Sequence, residues 1–216
     1  MKKAILVVSF GTSHLDALNN SIKKIEDSIQ ENFKEYDVFR SFTSHMIVRK
    51  LKEKHNIEVL FPEDALKKLG EEGYEEVIVQ PLHIIPGEEF DYIKHMVKEY
   101  EPCFKKIEIG RPIFHYEGFE SGPDDYSYFV DTMKDLIEKN SPCVFVGHGS
   151  AHPSNAVYGC LQSVLIDKDY EDVFVGTVEG YPNFSNVLKK AKKKDIKEIT
   201  IIPLMVVAGD HAKNDM

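Results

Sequence analysis

The sequence predicts an α/β fold with parallel sheets, and three observations carry that prediction. Short apolar runs rich in Val, Ile and Phe alternate with longer stretches whose apolar residues recur at helical spacing. Several of those runs empty at once into glycine-bearing loops, most plainly Val144-Phe145-Val146-Gly147-His148-Gly149-Ser150. Short apolar runs of this kind are typical of strands buried on both faces, and strands separated by helices pair in parallel through right-handed crossovers. The strand-loop units also recur in the same order in two halves of the chain.

In order, 4–10 reads as the first strand, with Gly11-Thr12-Ser13-His14 as its exit loop. Leu18, Ile22, Ile25 and Ile29 then predict one amphipathic helix reaching about Phe33. A strand over 36–42 and a helix over 46–55 follow. Pro62-Glu63-Asp64 suits the first turn of another helix, which Gly70 or Gly73 closes. A strand runs from Glu76 into a loop by Pro86, a helix spans 87–100, and 106–109 is a fourth strand. Gly118 to Asp125 is the linker candidate, which divides the chain into lobes at 1–123 and 124–216. The second lobe reads as a helix over 126–139, the strand before His148, a helix over 154–165, a strand over 172–176, a helix over 183–193 and a strand over 199–207.

The bulk properties exclude several functions. The chain has 216 residues, 42% hydrophobic and 29% charged, which is ordinary for a globular protein. A net charge of -9 argues against nonspecific nucleic-acid binding. No apolar run approaches the ~20 residues of a membrane span. Met1-Lys2-Lys3 and the apolar run after it lack the cleavage site of a signal peptide. The three cysteines are odd in number and not in CxxC spacing, which fits a reducing cytoplasm.

The internal repeat sharpens the reading. Val8-Ser9-Phe10-Gly11 aligns with Val146-Gly147-His148-Gly149, and Thr43-Ser44 with Val178-Glu179. Pro81-Leu82-His83 aligns with Pro203-Leu204-Met205, and Glu89 with His211. Two lobes of one topology, facing each other across a cleft, are expected. The second then carries His148, Glu179 and His211 at three strand-end loops, where open α/β sheets place ligands. Two imidazoles and a carboxylate suit Co²⁺, Fe²⁺, Ni²⁺ or Zn²⁺. The alternative at this point is that Glu179 caps the next helix and His211 lies on the surface.

At these residues the chain resembles the anaerobic sirohydrochlorin cobaltochelatases of the CbiK type, which belong with the class II chelatases. Val146-Gly147-His148-Gly149, Thr177-Val178-Glu179-Gly180-Tyr181-Pro182 and, most specifically, Gly209-Asp210-His211-Ala212-Lys213-Asn214-Asp215-Met216 carry the resemblance. Val8-Ser9-Phe10-Gly11-Thr12-Ser13 and Pro81 to Glu89 match as well. The resemblance implies two flavodoxin-like lobes enclosing a tetrapyrrole, and insertion of Co²⁺ into sirohydrochlorin during anaerobic cobalamin synthesis without a nucleotide or other organic cofactor. It implies His148 and His211 as catalytic and metal-binding, Glu179 as the acidic metal ligand, and Glu89 as a substrate-facing acid of the first lobe. Family members continue past the Asn-Asp-Met run, so the resemblance also implies a chain truncated at its carboxyl end.

Metalation removes two pyrrole protons and strips water from the ion. A histidine titrating near neutrality is suited to accept one proton, and His148 on its glycine-flanked loop is the expected base. Lys213, Arg40 and Arg49 are candidate partners for the substrate's carboxylates. Rival readings are an Fe²⁺ or Ni²⁺ tetrapyrrole chelatase and a non-catalytic tetrapyrrole or metal carrier. A nucleotide-binding protein is disfavoured, because no strand-end loop has a GxGxxG or P-loop pattern. The partners expected are a tetrapyrrole, no nucleic acid and no membrane, with homo-oligomerisation left open.

Overall fold

In a computed structural model the chain forms two compact units that divide after Pro112; the structure describes residues 1–207. The first unit runs β1 (Lys2–Ser9), α1 (Leu15–Asn20), α2 (Ile22–Asn32), β2 (Asp37–Phe42), α3 (His45–His55), α4 (Pro62–Glu71), β3 (Tyr74–Pro81), α5 (Glu88–Tyr100) and β4 (Lys106–Ile109). The second runs α6 (Asp125–Thr132), α7 (Lys134–Asn140), β5 (Cys143–Gly147), α8 (Ala156–Asp167), β6 (Val173–Thr177), α9 (Phe184–Lys193) and β7 (Thr200–Pro203). Among the described residues these strands make two sheets, ordered β2-β1-β3-β4 and β6-β5-β7, and every pairing is parallel. The α/β class with parallel sheets is therefore what the sequence predicted.

Alternation along the strands builds the cores. In β1, Ala4, Leu6 and Val8 pack with Leu66, Val77, Val79, Ile93 and Met96 on the face covered by α4 and α5. Ile5 and Val7 face the other way, with Tyr36, Ile29 and Ile78. Burial on both faces explains why β1 reads as a continuous apolar run. In the second unit Val144 and Val146 pack with Phe174, Val187 and Ala191. Phe114 stacks on Tyr126 at 5.0 Å and meets Phe129 edge-on at 4.9 Å, and Asp125 Oδ2 accepts from the amides of His115 and Tyr116. The stretch just before the segment read as a linker is thus held to the start of α6.

Two helices expected to be continuous are each broken. The 18–33 helix is interrupted at Ser21 and the 126–139 helix at Met133. In both cases a hydroxyl at the break bonds a carbonyl four residues back: Ser21 Oγ to Ala17 at 2.7 Å and Thr132 Oγ1 to Tyr128 at 2.8 Å. That competition with the backbone ladder bends or ends helices. β3 and β7 also stop earlier than the apolar runs suggested, at Pro81 and Pro203, since proline supplies no ladder donor.

The sequence repeat is a repeat of backbone geometry. The Thr43 amide donates to Ser9 at 2.9 Å, as the Val178 amide does to Gly147 at 3.0 Å. The Leu82 amide donates to Val8 at 2.7 Å, as the Leu204 amide does to Val146 at 2.8 Å. His14 and His152 each turn their amides onto a hydroxyl two residues back, on Thr12 and Ser150. Both sheets also protect their outer strand with a glutamine from the preceding helix. The side-chain amide of Gln30 bonds Tyr36 and Val38 beside β2, and that of Gln162 bonds Val173 and Val175 of β6.

Candidate metal centre

The candidate centre lies where β5 and β6 end. His148 directly follows β5, and its neighbour Gly149 has φ +86, a left-handed conformation that L side chains avoid. A Cβ on Gly149 would lie 1.7 Å from the carbonyl oxygen of Glu179, so the loop after β6 closes directly onto the loop after β5. The Glu179 amide donates to the His148 carbonyl at 2.7 Å, one step beyond the ladder bond from Val178 to Gly147. The structure thus brings His148 and Glu179 together through their backbones, and both residues are exposed. His148 Nδ1 lies 3.0 Å from the carbonyl oxygen of Gly149, which constrains the ring tautomer.

The two loops are tied by a residue that sequence reasoning missed. Asn155 Oδ1 accepts from the Ser150 amide at 3.0 Å, and its Nδ2 donates to the Tyr181 carbonyl at 2.7 Å. One side chain thereby spans both loops. The signal available in the sequence was weak, a single asparagine just before α8. Tyr158 supports the site from below: it is buried, its hydroxyl accepts from the Gly149 amide at 3.4 Å, and burial raises its pKa. His152 is structural, since its Nδ1 accepts from the Ser154 amide at 3.1 Å to cap a short 3₁₀ turn.

Glu179 does not cap the next helix. Asn183 does so, in a reciprocal box with Asn186 (3.2 and 3.0 Å). The equivalent residue of the first unit, Ser44, is itself the N-cap of α3. The later start of α9 therefore leaves the Glu179 carboxylate without a capping task. His211 lies outside the described residues, and among the described residues no three His, Cys, Asp or Glu side chains are grouped to hold an ion. Glu89 sits in the first turn of α5, with its Oε2 buried. At the position matching His148 the first unit presents Phe10, 51% exposed, beside Gly11 with φ +92.

The candidate carboxylate partners fare differently. Arg40 is committed to Glu26, with Nε donating to Oε1 at 2.7 Å and Nη2 paired to Oε2. Arg49 is exposed and lies 3.9 Å from Glu53. Lys213 lies outside the described residues.

Two parallel sheets, each with loops at the carboxyl ends of its strands, make an α/β fold that solved chelatase structures share. SirB from Bacillus subtilis with Fe³⁺ matches with a TM-score of 0.63 at 19% identity, over 94% of this chain and 76% of that one. The sirohydrochlorin chelatase SirB from Bacillus subtilis subspecies spizizenii in complex with cobalt gives 0.52 at 16% identity, over 99% and 92%. The chain belongs to the cobalt chelatase (CbiK) family, whose model matches residues 3–216. It is 36% identical to a sirohydrochlorin cobaltochelatase of Salmonella typhimurium, over its whole length and 80% of that protein. It is 29% identical to the sirohydrochlorin cobaltochelatase CbiKC of Nitratidesulfovibrio vulgaris, over its whole length and 75% of that protein. Among the described residues no helix is long and apolar enough to cross a membrane.

Proposed function

We propose that this chain is a cobaltochelatase that inserts Co²⁺ into sirohydrochlorin, with His148, Glu179 and His211 as the metal-handling set. The observation that carries the site is the backbone tie between His148 and Glu179, which fixes an imidazole and a carboxylate on adjoining loops. Both donor types accept Co²⁺. Family membership and 36% identity with a named sirohydrochlorin cobaltochelatase support the substrate and the metal. The same names disfavour Fe²⁺ or Ni²⁺ as the principal ion.

In this reading Co²⁺ is a substrate, and exchanges its protein ligands for the four pyrrole nitrogens. His148 takes one pyrrole proton: the N–H bond breaks, its electron pair stays on nitrogen for the metal, and the proton joins the imidazole. Glu89 receives the second proton. His211 and Glu179 hold the ion until the ring nitrogens replace them. No organic cofactor enters the chemistry, and the setting is cytoplasmic.

The test is anaerobic insertion of Co²⁺, followed by the absorbance of sirohydrochlorin, with wild type and His148→Ala. The expected result is a loss of roughly a hundredfold or more in kcat, with tetrapyrrole binding retained. A wild-type protein that binds the tetrapyrrole but gives no rate above the spontaneous reaction is a carrier, and sinks the proposal.

A further inference from the structure

In the first unit both ring nitrogens of His83 and Oε2 of Glu89 are buried without a hydrogen-bond partner among the described residues. Such groups are rare in native folds and call for an explanation. The alternation of β3 and the period of α5 carry both residues toward the carboxyl edge of one layer. Val77, Val79 and Pro81 are the buried alternate residues of β3, and His83 continues that series past the strand. On α5, Glu89 stands four residues before Ile93 and seven before Met96, at the head of the helical stripe packed on Val77 and Val79. Both series run out at the carboxyl edge of the sheet, where β1 and β3 are still joined by the bond from Leu82 to Val8. This is the switch point, where such sheets take ligands.

The fold does not require an imidazole there. The backbone-equivalent position of the second unit, next to Leu204, holds Met205. We propose that His83 is the positioning residue of Glu89: once tetrapyrrole is bound, an imidazole N–H donates to Glu89 Oε2 and holds the carboxylate so that its other oxygen takes a pyrrole proton. The pyrrole N–H bond breaks, its electron pair remains on nitrogen, and an O–H bond forms on Glu89, later released to water. His83 stays neutral throughout, which leaves no added cation to oppose the incoming Co²⁺. This inference rests on the reading of Glu89 as a proton acceptor, and the experiment separates the two.

Cobalt insertion into sirohydrochlorin is measured for His83→Met, Glu89→Gln and the double variant, with circular dichroism confirming the fold. Methionine is the residue the second unit carries at this position, so the substitution suits the setting. His83→Met is expected to lower kcat about ten- to a hundredfold with KM within about twofold, and the double variant to be no slower than Glu89→Gln alone. His83→Gln, which keeps an N–H donor, should recover part of the loss, and serves if the methionine variant fails to fold. Losses that multiply in the double variant, or equal losses in the Gln and Met variants, overturn the positioning role. An unchanged kcat in His83→Met beside a slow Glu89→Gln overturns it while leaving Glu89 as acceptor. An unchanged kcat in Glu89→Gln removes the acceptor reading itself, and the pairing with it.

Discussion

The backbone amide of Glu179 donates to the carbonyl oxygen of His148 at 2.7 Å. Two residues on different crossover loops, 31 positions apart in the sequence, are thereby held by a bond that neither side chain makes. The spacing of the two backbones is set at the sheet edge, not by the side chains.

Gly149 is the residue most sensitive to substitution in that arrangement. Alanine there meets the Glu179 carbonyl at 1.7 Å and must hold φ +86. Strain of that kind costs about 1–2 kcal/mol before the clash is counted. Gly149→Ala should lower the urea midpoint and abolish measurable insertion. Wild-type turnover in this variant would show that the two loops can separate without consequence.

Asn155→Ala removes both bonds of the side chain that spans the loops. At about 1 kcal/mol for each bond, stability should fall by roughly 2 kcal/mol in chemical denaturation. Insertion should slow by about tenfold, because small displacements of reacting groups are expensive. Asn155→Asp keeps the acceptor toward Ser150 but loses the donor toward Tyr181, and should fall between alanine and wild type.

Gln162 offers the opposite case, important to stability and remote from the chemistry. Its side chain bonds the Val173 carbonyl at 2.9 Å and the Val175 amide at 3.0 Å, all of it buried. Gln162→Leu leaves those backbone groups without partners, at about 1–3 kcal/mol each. Urea unfolding should register a loss of several kcal/mol, while kcat per folded molecule stays at the wild-type value. A midpoint equal to wild type would mean that water replaces the amide.

His83 gives the protein a predictable response to acid. Burial pushes its pKa down from 6.5 to about 4, so the folded protein keeps the ring neutral while the unfolded chain protonates it. Between those values the unfolded state binds more protons, and stability rises with pH. The contribution is fully present above about pH 6.5 and is lost progressively down to about pH 4, amounting to roughly 3 kcal/mol at ~1.4 kcal/mol per pH unit. Thermal unfolding of wild type should therefore lose more than that of His83→Met as pH is lowered from 7 to 4. Parallel curves for the two proteins would show that His83 titrates alike in both states.

The apolar runs, the helical periods and the two-fold repeat were legible in the sequence, because burial and secondary-structure period are written in residue type along the chain. They gave β4 and β5 nearly to the residue, β1 to within two residues, and the pairing of His148 with Phe10 and of Glu179 with Ser44. What the periods could not register were the breaks at Ser21 and Met133, since a hydroxyl bonding back to a carbonyl leaves the apolar spacing unchanged. Only the tertiary structure decided that Glu179 is free of helix capping, that Asn155 spans two loops, and that the His83 ring nitrogens and Glu89 Oε2 are buried without hydrogen-bond partners among the described residues. Each depends on which strand ends lie side by side, and that is fixed by sheet order and hydrogen-bond register between segments far apart in the chain.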